Sequence, residues 1–195
     1  MQPSNPHILS IDKLASSLPE FDAIIDVRSP AEFALDHIPG AINLPVLSNE
    51  ERIEIGTLYK QVSPFAAKKL GAAYVSRNIA NHLEHSLLDF PREWRPLIYC
   101  WRGGERSGAF THILNRIGWK ALQLQSGYQG FRRVVINDLD QAAKDFSFQV
   151  IAGMTGSGKT RILQEIGLLG QQILDLEGLA IHRGSVLGNE PNIEQ

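Results

Sequence analysis

The sequence predicts an α/β protein: a mostly parallel sheet over residues 1–145, then the start of a second α/β unit over residues 146–195. Three observations carry that prediction. Short apolar runs alternate with helix-like segments through the first 145 residues, as a parallel sheet with crossover helices requires. One of these runs ends on the only cysteine of the chain, and a Gly-Gly turn follows closely. Another apolar run, beginning at Phe146, leads straight into a glycine-rich phosphate-loop pattern.

Taken in order, residues 8–11, 23–27, 41–44, 96–100 and 121–124 read as five strands. Ser10 can cap a helix over 12–17, and Pro30 suits the first turn of a short helix reaching residue 36. Ser48 or Asn49 can cap a helix beginning near Glu50. A long helix is expected over 64–89, where Val75, Ile79, Leu83, Leu87 and Phe90 recur at spacings of four and three as one core-facing stripe. Another opens near Arg106 and runs to Ile117, with Gly118 placed to stop it. Beyond residue 145, strands over 146–152 and 172–176 and a helix over 159–167 would make one β-α-β unit. A single such unit cannot cover both faces of its own sheet, so the P-loop NTPase-like region is expected to be incomplete.

The 195 residues are 43% hydrophobic and 21% charged, with a formal charge of −2, which is the ordinary balance of a soluble globular chain. The opening residues Met1 to His7 predict no secretory leader, and no run of about 18 apolar residues predicts a membrane span. A cytoplasmic location is the expectation. One cysteine excludes an intrachain disulfide and a cysteine-only metal site. The near-neutral charge does not advertise nucleic-acid binding, so such a role needs a local basic patch.

The sharpest local feature is Cys100-Trp101-Arg102-Gly103-Gly104-Glu105-Arg106-Ser107. A buried strand delivers Cys100 to its carboxyl end, where open α/β sheets hold their ligands. The two glycines let the backbone wrap tightly and turn consecutive N–H groups inward as an anion nest. The positive end of the following helix faces the sulfur and favours the thiolate, and Arg106 offers a planar fork for an oxyanion above it.

Upstream, Asp26-Val27-Arg28-Ser29-Pro30-Ala31-Glu32-Phe33 and His37-Ile38-Pro39-Gly40-Ala41-Ile42-Asn43-Leu44-Pro45 resemble the two linked signatures of the rhodanese family. With the cysteine loop, the resemblance covers most of residues 5–140 and implies a rhodanese-like parallel-sheet domain with Cys100 as the chalcogen carrier. It also implies that Asp26 and Arg28 support the loop and that His37 is structural. The ring from Cys100 to Arg106 has five intervening residues, where simple rhodaneses commonly have four. That wider ring resembles rhodanese-fold phosphatases, which hold a tetrahedral oxyanion, and counts against a plain thiosulfate sulfurtransferase.

Gly153-Met154-Thr155-Gly156-Ser157-Gly158-Lys159-Thr160 matches G-x-x-x-x-G-K-[ST] in full. A chance match in a chain of this length is on the order of one in a hundred. Gly153, Gly156, Ser157 and Gly158 would cradle phosphates with backbone N–H groups, Lys159 would neutralise them, and Thr160 could coordinate Mg²⁺. No other metal is expected.

Leu174-Asp175-Leu176-Glu177-Gly178-Leu179-Ala180 follows, then His182-Arg183-Gly184-Ser185. A rhodanese-type domain, a phosphate loop and this tail together resemble bacterial tRNA 2-selenouridine synthases, whose members are considerably longer. The resemblance implies a transferase that replaces the sulfur of wobble 2-thiouridine in tRNA with selenium from selenophosphate. It implies an S-geranylated intermediate made from geranyl diphosphate. Cys100 would then carry selenium, Arg106 and the nest would bind the departing phosphate, and Lys159 would serve geranyl diphosphate. Arg102, Lys68, Lys69, Arg132 and Arg133 could touch tRNA phosphates or be solvated surface. Asp175, Glu177, His182 and Arg183 read equally as chemical groups or as a polar loop. Two other readings stay open: a rhodanese-type sulfurtransferase or persulfide carrier module, and a cysteine phosphatase, although Tyr99 stands where many cysteine phosphatases have histidine.

Overall fold

In the computed structural model, which describes residues 7–102 and 104–180, five parallel strands form one sheet in the order β1-β5-β4-β2-β3. They are β1 (Ile8–Leu9), β2 (Ala23–Asp26), β3 (Ile42–Asn43), β4 (Pro96–Tyr99) and β5 (Leu122–Leu124). All five lie within the runs read as strands, and parallel pairing confirms the predicted sheet type. Gly103, His182 and Arg183 lie outside the described residues.

The middle strand explains the position of the cysteine. β4 lies between β2 and β5, and all four of its residues are buried. Side chains alternate across a strand. Ile98 and Cys100 therefore enter one core layer with Ile25, Ile79, Phe110 and Leu114. Leu97 and Tyr99 enter the opposite layer with Leu9, Ile38, Leu124 and Tyr128.

Helix α2 (Pro30–Leu35) has Pro at its first turn, and Glu32 reaches back to accept from the Ser29 N–H at 3.1 Å. For α3 (Asn49–Gln61) the cap is Ser48, not Asn49. Ser48 Oγ accepts from the Glu51 N–H at 3.2 Å, while Asn49 Oδ1 accepts instead from the Ala31 N–H at 2.9 Å. The predicted long helix is α4 (Pro64–His82), continued by a π-type turn over Leu83–Leu87. Its stripe does face the core: Ile79 and Leu87 are buried, and Val75 and Leu83 pack beside them. Phe90 remains 38% exposed and stacks on Trp94 with ring centroids 4.2 Å apart.

Two readings of the first unit need correction. The helix expected over 12–17 is split into a 3₁₀ turn at Ile11–Lys13 and α1 (Leu14–Ser17), and Ser10 makes no side-chain cap, its hydroxyl donating to Asp12 instead. A 19-residue helix, α6 (Gly127–Asp145), follows β5 where no element was predicted. α5 (Glu105–Ile117) closes on Gly118, whose φ of +120° favours glycine, as expected.

Compactness divides the chain between Ala143 and Lys144. Within the second unit, α7 (Lys159–Leu168) and α8 (Leu176–Leu179) are formed. Residues 146–152 and 172–176 were read as strands, yet no strand is formed among the described residues of this unit. An extended apolar segment becomes a strand only when a neighbour completes its hydrogen-bond ladder. Phe146, Phe148 and Val150 are accordingly exposed.

Candidate active site

Cys100 is the residue after β4, and only 4% of it is exposed. Its carbonyl and that of Trp101 accept from the N–H groups of Tyr128 (2.8 Å) and Gln129 (3.0 Å), in the first turn of α6. The unpredicted helix thus clamps the loop from behind. The turn into α6 needs positive φ at Ser126 (+61°) and Gly127 (+52°), and a Cβ on Gly127 would collide with the Cys100 carbonyl oxygen. On the other side the loop enters α5 through Gly104, at φ +79°.

Among the described residues, the Cys100 sulfur has one side-chain donor, Ser107 Oγ at 3.2 Å. Ser107 is itself buried on the first turn of α5. Its hydroxyl in turn accepts from Gln123 Nε2 on β5, also at 3.2 Å. Ser107 stood in the quoted motif without a role, and its signal was a hydroxyl residue directly after the loop arginine. Gln123 carried no signal in the sequence, since only the sheet order puts β5 beside β4.

Around this centre, Trp101 is 41% exposed and leans on Tyr128 with centroids 5.7 Å apart. Arg102 and Glu105 are exposed, and Gly103 lies outside the described residues. Arg106 presents its fork to Glu32, with Nη1–Oε2 at 2.9 Å and Nη2–Oε1 at 3.4 Å. Burial would raise the Glu32 pKa, but hydrogen bonding and charge from Arg106, with the Ser29 N–H, hold it below the usual carboxylate value.

Asp26 and Arg28 form a buried pair at the end of β2. Arg28 Nε lies 3.0 and 2.9 Å from the two Asp26 oxygens and Nη2 lies 2.6 Å from Oδ2. The Arg28 N–H also reaches Asp26 Oδ1, and Nη2 reaches the Asp36 carbonyl at 2.6 Å. Such a pair is tolerable in a core only when further hydrogen bonds offset its desolvation, and here the Asp36 carbonyl takes one guanidinium N–H. The guanidinium also lies over the Tyr128 ring, 4.2 Å from its centroid. Burial would lower the Arg28 pKa, but Asp26 raises it overall. Burial, then the Asp26 charge, pushes the Tyr99 phenol up, so its hydroxyl stays neutral and accepts from the Ile38 N–H at 3.1 Å. The pair therefore braces the strand ends beside the loop. His37 is structural too, its Nδ1 donating to the Phe33 carbonyl (2.9 Å) and its ring stacking on that of Phe33.

In the second unit, Gly156 and Gly158 take positive φ (+82° and +80°), and a Cβ on Gly153 would press within 2.8 Å of Ser157 Oγ. The glycines thus permit the loop to curl over the start of α7. Lys159 Nζ donates to the carbonyls of Gly153 (3.0 Å) and Met154 (2.9 Å), which holds an ammonium at the loop. Thr160 Oγ1 donates to Glu177 Oε2 at 3.1 Å, while Asp175 caps α8 by accepting from the Gly178 N–H. Of the tail residues left open by sequence, Asp175 is thus the cap of α8. Among the described residues, no cluster of three His, Cys, Asp or Glu could hold a metal, and no helix is long and apolar enough to cross a membrane.

Residues 10–133 match the family model of the rhodanese-like domain, and residues 146–195 match that of the tRNA 2-selenouridine synthase AAA domain. A curated relative from Nitrosomonas eutropha, named tRNA 2-selenouridine synthase, is 41% identical over 95% of this chain and 47% of its own length. One from Nitrosomonas europaea with the same name is 40% identical over 94% of this chain and 48% of its own. The chain thus spans about half the length of these relatives. The crystal structure of the N-terminal domain of a Clostridium difficile 630 protein named for ATP/GTP binding is 34% identical. It aligns with a TM-score of 0.56 over 66% of this chain and 98% of that domain.

Proposed function

The chain belongs to the rhodanese-like family, and from that premise we propose that it works as a tRNA 2-selenouridine synthase with Cys100 as its selenium carrier. The reaction replaces the sulfur of wobble 2-thiouridine in tRNA with selenium from selenophosphate, through an S-geranylated nucleoside made from geranyl diphosphate. The observation that carries this reading is the setting of Cys100. It sits at the carboxyl end of the central strand, before the amino end of α5, with a Ser107 hydroxyl on its sulfur. Those donors suit an anionic chalcogen. Arg106, oriented by Glu32, is the group to grip the phosphoryl group of selenophosphate as the P–Se bond breaks: water takes the phosphoryl group as phosphate, and selenium leaves as selenide, HSe⁻, held beside Cys100 with no change of oxidation state.

The phosphate loop supports a diphosphate substrate, with Lys159 as its counter-charge. Thr160 and Glu177 present neighbouring oxygens, a donor set that fits Mg²⁺, which would neutralise the diphosphate when bound. The relatives' shared name supports tRNA as the acceptor. Incubation with radiolabelled selenophosphate and 2-thiouridine-containing tRNA is the test. Label in the tRNA that depends on geranyl diphosphate supports the proposal.

The second reading, a persulfide carrier module, is favoured by one observation. Cys100, α5 with Ser107, and Gln123 all lie within the single unit matched over residues 10–133. Transfer of sulfur from thiosulfate to a thiol acceptor, with no label entering tRNA, would decide for it.

A further inference from the structure

Gln123 sits at a rigid point of the sheet. Its backbone pairs with Ile98 on one side and lies opposite Ile8 on the other, and its N–H donates to the His7 carbonyl at 2.8 Å. Its side-chain amide lies beside two glycines of the α5 entry. A Cβ on Gly104 would collide with Gln123 Nε2, and one on Gly108 would come within 3.3 Å of Oε1. The loop therefore needs glycine at residue 104 twice over, for its positive φ and for the room this amide occupies.

The orientation of that amide follows from its surroundings. Nε2 lies 3.2 Å from the Gly104 carbonyl oxygen, which can only accept. The flipped amide would set two oxygens against each other, so the nitrogen belongs where it stands. Its second N–H then points to Ser107 Oγ at 3.2 Å. The Ser107 hydroxyl has a single proton and, among the described residues, two acceptors in range, the Cys100 sulfur at 3.2 Å and the Gly104 carbonyl at 3.4 Å. That carbonyl already accepts from the Gly108 N–H at 2.6 Å and from Gln123, which uses both its lone pairs. Of these two, the sulfur remains.

We infer that Gln123 is a positioning residue, whose two amide N–H groups turn the Ser107 proton away from the Gly104 carbonyl and onto the Cys100 sulfur. It touches neither the sulfur nor any reacting atom, and it acts through Ser107. The effect is to aim one hydroxyl donor permanently at the anionic form of the carrier. The inference takes Cys100 as the reactive group of the proposed function, but it holds for the thiolate whatever atom that thiolate later carries.

The rate of Cys100 alkylation by iodoacetamide, followed by intact mass across pH, tests this without selenium or tRNA. Ser107→Ala should slow alkylation at neutral pH by about tenfold and move the profile to higher pH, since a hydrogen bond to a charged group is lost. Gln123→Leu should produce a loss of similar size and direction, although it leaves Ser107 in place. Adding Gln123→Leu to Ser107→Ala should then change the rate less than twofold, because the two residues act in one chain. Additive losses, or an unchanged profile in Gln123→Leu, would overturn the inference. Should Gln123→Leu fail to fold, Gln123→Met keeps the side-chain length without the amide and is read in the same way. A normal coupling in this assay together with failed selenium transfer would refute the proposed function and leave the positioning role standing.

Discussion

Arg106 meets Glu32 with both prongs of its guanidinium, at 2.9 and 3.4 Å, and so joins the first turn of α5 to the first turn of α2. The same carboxylate accepts from the Ser29 N–H, which makes Glu32 at once a helix cap and an arginine anchor.

Glu32→Gln should destabilise the protein at neutral pH by about 1 kcal/mol, since the pair is largely screened from water yet still near the surface. The folded pKa of Glu32 lies below its usual value. Its contribution is therefore present above the ordinary glutamate range and lost as pH falls through the lowered folded value. Urea denaturation should show the variant less stable at pH 7, with the gap closing on acidification below about pH 4. A constant gap across that window would argue against an ionic role.

Cys100→Ser should abolish selenium incorporation into tRNA from radiolabelled selenophosphate, yet leave geranylation of tRNA largely unchanged. The buried position and the Ser107 contact are retained for a serine of nearly the same size, so fold is not the variable. Undiminished selenation by this variant would remove the carrier role.

Lys159→Ala should weaken geranyl diphosphate binding at least tenfold, about 1.4 kcal/mol, because the ammonium held at Gly153 and Met154 is the charge that meets the diphosphate. Calorimetry with geranyl diphosphate and with ATP compares the two ligands directly. Binding of ATP alone, lost in the variant, would reassign the loop.

Gly127→Ala should cost at least about 2 kcal/mol of stability, since alanine is strained at positive φ. Its Cβ would also strike the Cys100 carbonyl oxygen. The damage should reach the site, because the same turn supplies the Tyr128 N–H that holds that carbonyl. Chemical denaturation and the alkylation rate of Cys100 check both effects, and a loss under about 0.5 kcal/mol, at most about one tenth of a typical domain's stability, would contradict them.

Much of the first unit was legible because its signals are local. Apolar runs placed all five strands, Pro30 and Ser48 placed helix starts, and Gly118 placed an end. The helix over Gly127–Asp145 escaped because its start rests on positive φ at Ser126 and Gly127, a backbone turn that the residue types do not announce. The apolar runs at 146–152 and 172–176 misled for the opposite reason: apolarity is local, whereas a strand needs a ladder partner.

By itself, then, the sequence determined the α/β class, the cysteine at the end of a strand, the Gly-rich phosphate loop and the family to which these belong. Each of those is written in contiguous residues, whose spacing and backbone needs are readable one after another. Only the tertiary structure decided that Arg106 is held by Glu32, that α6 clamps the Cys100 carbonyl, and that Gln123 aims the Ser107 hydroxyl at the sulfur. Those partners stand 74, 28 and 16 residues apart in the chain. They meet because the strand order β5-β4-β2 brings their elements side by side, and hydrogen bonds of about 3 Å form only where packing has already set the distance.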